Sequence, residues 1–187
     1  MPGLKFRVLL DSDNQEEIFR DILISDLDNF ENFFHTILSA FEFKGKEIGS
    51  FYVSNDDWDK GHEINLLDMS YDDDSIDAPS AVMKDAIIKS FLEEPDQKFI
   101  LVYDFMRMWI FLIELIGFDK NDPEKPSILL SVGKPPSEQS KDIMDENLFV
   151  DNQNLNDDGD ADDDNDDDDF EDGYEEDDLN GFNEYEY

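Results

Sequence analysis

The residues that could do chemistry are few in kind and crowded in number. His35 and His62 are the only two histidines, and there is no cysteine. Tetrahedral zinc is built from Cys and His in sets, so two histidines on separate segments read as ordinary surface or hydrogen-bonded side chains. The missing cysteines also exclude a disulfide scaffold and a thiolate nucleophile. Carboxylates are everywhere: 51 Asp and Glu face 14 Lys and Arg, a formal net charge of −37 in 187 residues. In such a chain a pair of nearby carboxylates says little about acid–base catalysis. No G-x-S-x-G elbow, glycine-rich phosphate loop ending in Lys-Ser/Thr, or G-x-G-x-x-G turn occurs. Asn154-x-Asn156-x-Asp158-Gly159 copies the first half of a calcium loop, but Asn165 stands at the last position, where the loop needs a bidentate Glu. That tract is expected to hold divalent cations weakly and without specificity, on Coulomb grounds alone. No cofactor and no defined metal site is expected.

Two clusters suit binding rather than catalysis. The first is Asp56, Asp57, Trp58 and Asp59, an indole among acids. Trp58 reads first as an edge anchor of the core and second as an exposed contact residue. The second cluster is the acidic end, where Phe170, Tyr174, Phe182 and Tyr185 are set among the later acids. It reads either as a solubilising extension, or as a docking tail for a basic protein, or as a nucleic-acid mimic whose aromatics imitate stacked bases. Direct nucleic-acid binding is not expected, because neutralising phosphates needs a basic surface.

The charge is uneven along the chain. Residues 142–187 hold 22 acids and no Lys or Arg, while the first 141 residues hold 29 acids against 14 bases. The first stretch is acidic but ordinary, and long enough to bury a core. The second should not collapse at neutral pH, since like charges repel and few apolar groups offset chain entropy. A boundary near Ser140 is expected: a domain over 1–140, then a disordered acidic tail over 141–187. No apolar run reaches the ~18–20 residues that span a bilayer. The start of the chain lacks the apolar core of a signal peptide. A cytoplasmic protein with no membrane contact is the expectation.

The elements that must position these groups follow from periodicity. Lys5 to Leu10 and Glu17 to Ile24 alternate as strands of a hairpin. Phe30, Phe33, Phe34, Ile37, Leu38 and Phe41 make one helical stripe, with Asp26 or Asp28 as N-cap. Ser50–Ser54 and His62–Leu67 read as short strands on either side of the Trp58 cluster. Val82 to Leu92 reads as a second amphipathic helix, closed by Pro95. Lys98–Phe105 and Trp109–Phe118 read as a central antiparallel pair, and Ser127–Val132 as a last strand. The order predicts an α+β fold: an antiparallel sheet with two main helices packed on it. Tyr103, Asp104, Phe105 and Trp109 read as core rather than site.

Four places, in this order, resemble the plasmid pRiA ORF-three-like family, also labelled insertion-element passenger TnpR-type proteins. They are the strand pair Phe6–Leu10 and Ile18–Ile24; the helix Leu27–Phe41 with Ser50-Phe51-Tyr52-Val53 and Asp56-Asp57-Trp58; Tyr103-Asp104-Phe105 with Trp109 and Glu114; and Gly133-Lys134-Pro135-Pro136-Ser137-Glu138, similar to a closing Gly-x-x-Pro-x-Glu pattern. The resemblance covers about residues 4–138. It implies an α+β domain from a bacterial genome, a mobile-element passenger, and it carries no activity. Met106-Arg107-Met108-Trp109 keeps the family's Trp but lacks the Gly and Asp that usually precede it, and the Glu-His pair that follows is missing. A resolvase-type chemistry needs a nucleophilic serine supported by arginines, and only Arg7, Arg20 and Arg107 are present. The leading expectation is therefore a non-enzymatic interaction module with an acidic docking tail for a basic protein. The alternatives are a nucleic-acid mimic that inhibits a DNA-binding protein, and a divalent-metal hydrolase or nuclease using clustered carboxylates.

Overall fold

Alternation along the early strands decides which way the sheet faces. In the computed structural model, which describes residues 3–13, 16–68 and 81–143, β1 (Gly3–Asp11) buries Leu4, Phe6, Val8 and Leu10 and leaves Lys5, Arg7 and Leu9 on the opposite face. It pairs with β2 (Phe19–Ser25), where Arg20, Ile22 and Ile24 share the buried face. Next come α1 (Phe30–Ala40), β3 (Gly49–Ser54), β4 (Glu63–Asn65), β5 (Ala81–Val82), β6 (Lys98–Tyr103), β7 (Trp109–Asp119) and β8 (Ser127–Val132). Among the described residues these make one eight-stranded sheet in the order β5-β4-β3-β6-β7-β1-β2-β8. Neighbours are antiparallel throughout, except that β4 and β5 run parallel.

The core lies between one face of this sheet and α1. Phe30, Phe33, Phe34, Ile37 and Leu38 are all buried on the helix. Their rings meet those of the strands: Phe6 and Phe33 lie 4.9 Å apart, Phe30 and Phe51 5.0 Å, Phe30 and Phe99 5.2 Å. Each such pair adds roughly 0.5–1.5 kcal/mol beyond the area it buries.

The fold departs from expectation at 82–92. There is one α-helix among the described residues, not two packed on the sheet, and the sheet is mixed rather than antiparallel. Ala81 and Val82 extend the sheet edge beside β4, and Ile88–Phe91 is a single 3-10 turn. The reason is what this backbone serves. The carbonyls of Ala86 and Met83 accept the N–H groups of Phe30 and Glu31 at 3.0 and 3.3 Å, and Ile88 N–H donates to the Asp28 carbonyl at 2.9 Å. The segment thus satisfies the orphan donors at the start of α1, which a continuous helix over 82–92 could not do with the same carbonyls. The N-cap is Asn29, whose side chain accepts from Asn32 N–H at 2.9 Å, and neither Asp26 nor Asp28 takes that role. Asp26 is instead buried, 3.4 Å from Lys89 Nζ.

Candidate functional site

α1 covers one face of the sheet, and the register writes three rows across the other. The first runs Lys98, Glu114, Arg7, Asp21, one residue from each of β6, β7, β1 and β2. The second runs Tyr52, Ile100, Leu112, Leu9, Phe19, Val132. The third runs Asn65, Ser50, Val102, Ile110, Asp11. A charged row therefore lies directly beside an apolar one. Within the charged row the signs alternate. Arg7 donates Nε and Nη2 to both oxygens of Asp21 at 2.8 Å, a bidentate pair, and its guanidinium lies 4.5 Å from the centre of the Phe19 ring. That hydrogen bond chiefly holds Arg7 above its ordinary proton affinity; burial opposes it, and the charges of Asp21, Glu114 and Glu17 assist it.

The acidic tryptophan loop folds over this face. Asn55 holds it: its Oδ1 accepts from the backbone of Asp57 at 3.1 Å and Asp59 at 3.0 Å, and its Nδ2 donates to Asp59 at 3.1 Å. Ser54 Oγ donates to the Asp59 carbonyl at 2.8 Å. Asp56 Oδ1 takes Lys98 Nζ at 2.6 Å, which ties the loop to β6. Asp56, Asp57 and Asp59 are exposed. Trp58 has φ of 58°, in the left-handed region that a bulky residue enters only at a cost of about 1–2 kcal/mol. It is half-buried, and it lines a cavity of about 180 Å³ with Arg7, Leu9, Glu17, Phe19, Leu112 and Glu114. So Trp58 rests on the face away from the core that α1 covers. Glu17, Phe19, Arg7 and Glu114 were not singled out from the sequence as its neighbours. Arg7, Phe19 and Glu114 come from β1, β2 and β7 and Glu17 from the segment leading into β2, and their only signal was a charged or aromatic residue beside each strand's apolar positions.

The other residues marked in the sequence are structural. Tyr103, Asp104 and Trp109 are buried, while Phe105 is exposed. Asp104, at φ of 55°, accepts from the backbone of Met106 and Arg107 and from the Arg107 guanidinium at 3.1 to 3.2 Å, which closes the β6–β7 turn. Arg107, where the family pattern has Asp, becomes the partner of Asp104. Glu138 locks the closing motif: its carboxylate accepts from Tyr103 Oη at 2.6 Å and Lys44 N–H at 2.8 Å, and its carbonyl from Trp109 Nε1 at 3.1 Å. His35 and His62 are both exposed, and among the described residues no three His, Asp or Glu are placed to hold a metal ion. Phe170, Tyr174, Phe182 and Tyr185, with the whole of 144–187, lie outside the described residues.

Among solved structures the chain is similar to a protein of unknown function, MM3350, from Methanosarcina mazei Go1. The TM-score is 0.60 and the identity 16%, over 75% of each chain, a likeness of fold. No curated protein matches the chain. Residues 2–182 match the family model of the plasmid pRiA4b ORF-3-like proteins, a longer span than the four sequence motifs mark and one that takes in most of the acidic stretch. With nearly its full length matched, the chain belongs to the plasmid pRiA4b ORF-3-like family.

Proposed function

We propose that this protein is an interaction module that docks a basic protein partner beside Trp58, on the sheet face opposite α1. The observation that carries the reading is the exposed acid cluster Asp56, Asp57 and Asp59 around an indole laid on an apolar row. Proteins dock where aromatic anchors meet complementary charge, and Trp is the residue type most enriched at energetic centres of interfaces. The net charge of −37 selects basic partners and speeds their approach over long range. The 22 acids of residues 142–187 add to that field. The domain then supplies specificity, and the C-terminal stretch supplies attraction.

The test is affinity capture from native lysate with the full chain, a Trp58→Ala variant and an Asp56→Asn/Asp57→Asn/Asp59→Asn variant, each washed at low and high salt. The reading expects a basic protein retained by the parent chain, lost with Trp58→Ala, and released more readily by salt from the triple variant. A retained protein that is acidic, or that binds all three alike, overturns it.

A further inference from the structure

We infer that the cavity under Trp58 is a receptor for a lysine side chain of the partner, with the aliphatic stem on the apolar row and the ammonium between carboxylates. The inference rests on the basic-partner reading and names the group that reading requires.

Three features of the cavity converge on this chemistry. Trp58, Phe19, Leu9 and Leu112 line it, apolar surface that suits a methylene stem, and the indole suits a cation. Its charge is in excess on one side. Arg7 is neutralised by the bidentate pair with Asp21, while Glu17 and Glu114 both line the cavity. Lys98 offsets Glu114 only in part, because its Nζ is shared among three carboxylates: Asp56 at 2.6 Å, Glu114 at 3.8 Å and Asp96 at 3.9 Å. The residual potential at the mouth is therefore negative, and an anion would meet two carboxylates. The third feature is the backbone. Trp58 is held in a left-handed conformation by the Asn55 and Ser54 hydrogen bonds, and strain of this kind collects where a side chain must be aimed. A tryptophan that only filled space on the sheet would not need it.

The cavity also favours ammonium over guanidinium. Arg7 already stacks on Phe19, so a second planar guanidinium would meet an occupied ring face there, while the charge of Arg7 opposes either cation alike. A compact ammonium at the end of a narrow stem reaches Glu17 and Glu114 without displacing it.

The experiment is a titration of the ¹⁵N-labelled full chain, read at its two tryptophan indole N–H signals. The probe is N-acetyl-lysine N′-methylamide. Trp109 serves as internal reference, since its indole is buried and donates to the Glu138 carbonyl. The expected result is a saturable shift of the Trp58 signal alone, with no response to the Nζ-acetylated probe. Glu17→Gln/Glu114→Gln should weaken binding about tenfold, the scale of losing charged partners for a desolvated cation. An unmoved Trp109 signal certifies that the variant is folded. A drift shared by both indoles, an equal response to the acetylated probe, or no effect of the double variant overturns the inference. So does tighter binding of n-butylammonium than of the peptide-like lysine, which would point to a free amine. Partner capture that depends on Trp58 without any lysine response refutes the receptor and leaves the docking reading standing. A lysine response with no basic partner captured refutes the docking reading instead.

Discussion

Replacing Arg20 with Met should cost this domain more than any change to its surface charges. Arg20 is 4% exposed and lies on the core face of β2. Its guanidinium donates to four backbone carbonyls: Ala40 at 3.0 Å, Phe19 at 2.8 Å, Val132 at 2.7 Å and Gly133 at 3.3 Å. It also covers the Phe41 ring at 4.9 Å. One side chain thus joins the end of α1 to β2 and β8. Burial pushes Arg20 below its ordinary pKa, with the charge of Glu42 acting the other way, so the group is a desolvated cation held by carbonyl dipoles. Methionine of similar length removes that desolvation cost but strips the carbonyls of their donor. An orphaned buried carbonyl costs about 1–3 kcal/mol, and water at the sheet edge will recover part for Gly133. The expected loss is about 3–5 kcal/mol, near the upper end for point mutants. For a domain of this size that lowers Tm by roughly 4 °C per kcal/mol. Urea unfolding followed by circular dichroism gives the free energy. Hydrogen exchange should show β8 amides losing protection first. Arg20→Lys keeps the charge but reaches fewer carbonyls and should fall between the two. A loss under about 1 kcal/mol for Arg20→Met, or unchanged exchange in β8, would refute the clamp.

The alkaline limb of stability should belong largely to two tyrosines. Burial and then the hydrogen bond to Glu138 push the Tyr103 hydroxyl up to about 12, and burial and Glu63 do the same for Tyr52. Each folded value lies above the unfolded one, so the contribution is intact below pH ~10 and is lost as pH rises through about 12, about 2–3 kcal/mol for fully buried Tyr103. Urea midpoints from pH 8 to 11.5 should fall less steeply for Tyr103→Phe; an identical slope would assign the loss elsewhere. Gly133→Ala should destabilise by about 1–3 kcal/mol, since φ is 74° and a Cβ would sit 2.7 Å from the Glu17 carbonyl oxygen; an unchanged unfolding midpoint would contradict it. Asn55→Ala removes the acceptor that aims Trp58, so Trp58 fluorescence should shift to the red while Trp109 and global stability change little.

What the sequence made legible depended on how local each cause was. The stripe Phe30, Phe33, Phe34, Ile37, Leu38 is set within a few turns of one helix, and α1 occupies it with those residues buried. The alternation in β1 and the apolar run Lys98–Tyr103 are equally local, and both segments are strands. The segment 82–92 carries a helical pattern too, yet its backbone partners sit at Asp26, Asp28, Phe30, Glu31 and Asn65. Those hydrogen bonds compete with i→i+4 pairing and win, and nothing within the segment announces them. The candidate site divides the same way. Asp56, Asp57, Trp58 and Asp59 are adjacent in sequence and stand out by type. Arg7, Phe19 and Glu114 join them through strand register, across more than 100 residues of chain, with Glu17 on the segment leading into β2, and register is a property of the sheet.

The residues that carry the family resemblance are mostly spent on holding the fold. Asp104 closes a turn, Glu138 ties Tyr103 to the backbone of Lys44 and to the indole of Trp109, and Gly133 lets the chain pass Ile18. A side chain whose hydrogen-bonding capacity is consumed inside the domain has little left for a ligand. Glu114 differs: it lies on the opposite face of β7, a strand that the core already fixes from the other side. A sheet with one face sealed by α1 is a rigid plate, and a plate holds the groups on its opposite face at fixed separations. The tryptophan loop then needs only Asn55 and the Asp56–Lys98 bond to set the height of the cavity. This division of labour predicts where function can change while fold is kept. Substitutions at Glu17, Phe19, Trp58 and Glu114 should alter what is bound and leave the unfolding free energy within about 1 kcal/mol, whereas those at Arg20 and Glu138 should do the reverse. Paired measurements of lysine-probe affinity and urea stability on these six positions decide it, and a strong correlation between the two quantities would mean that site and scaffold are not separate.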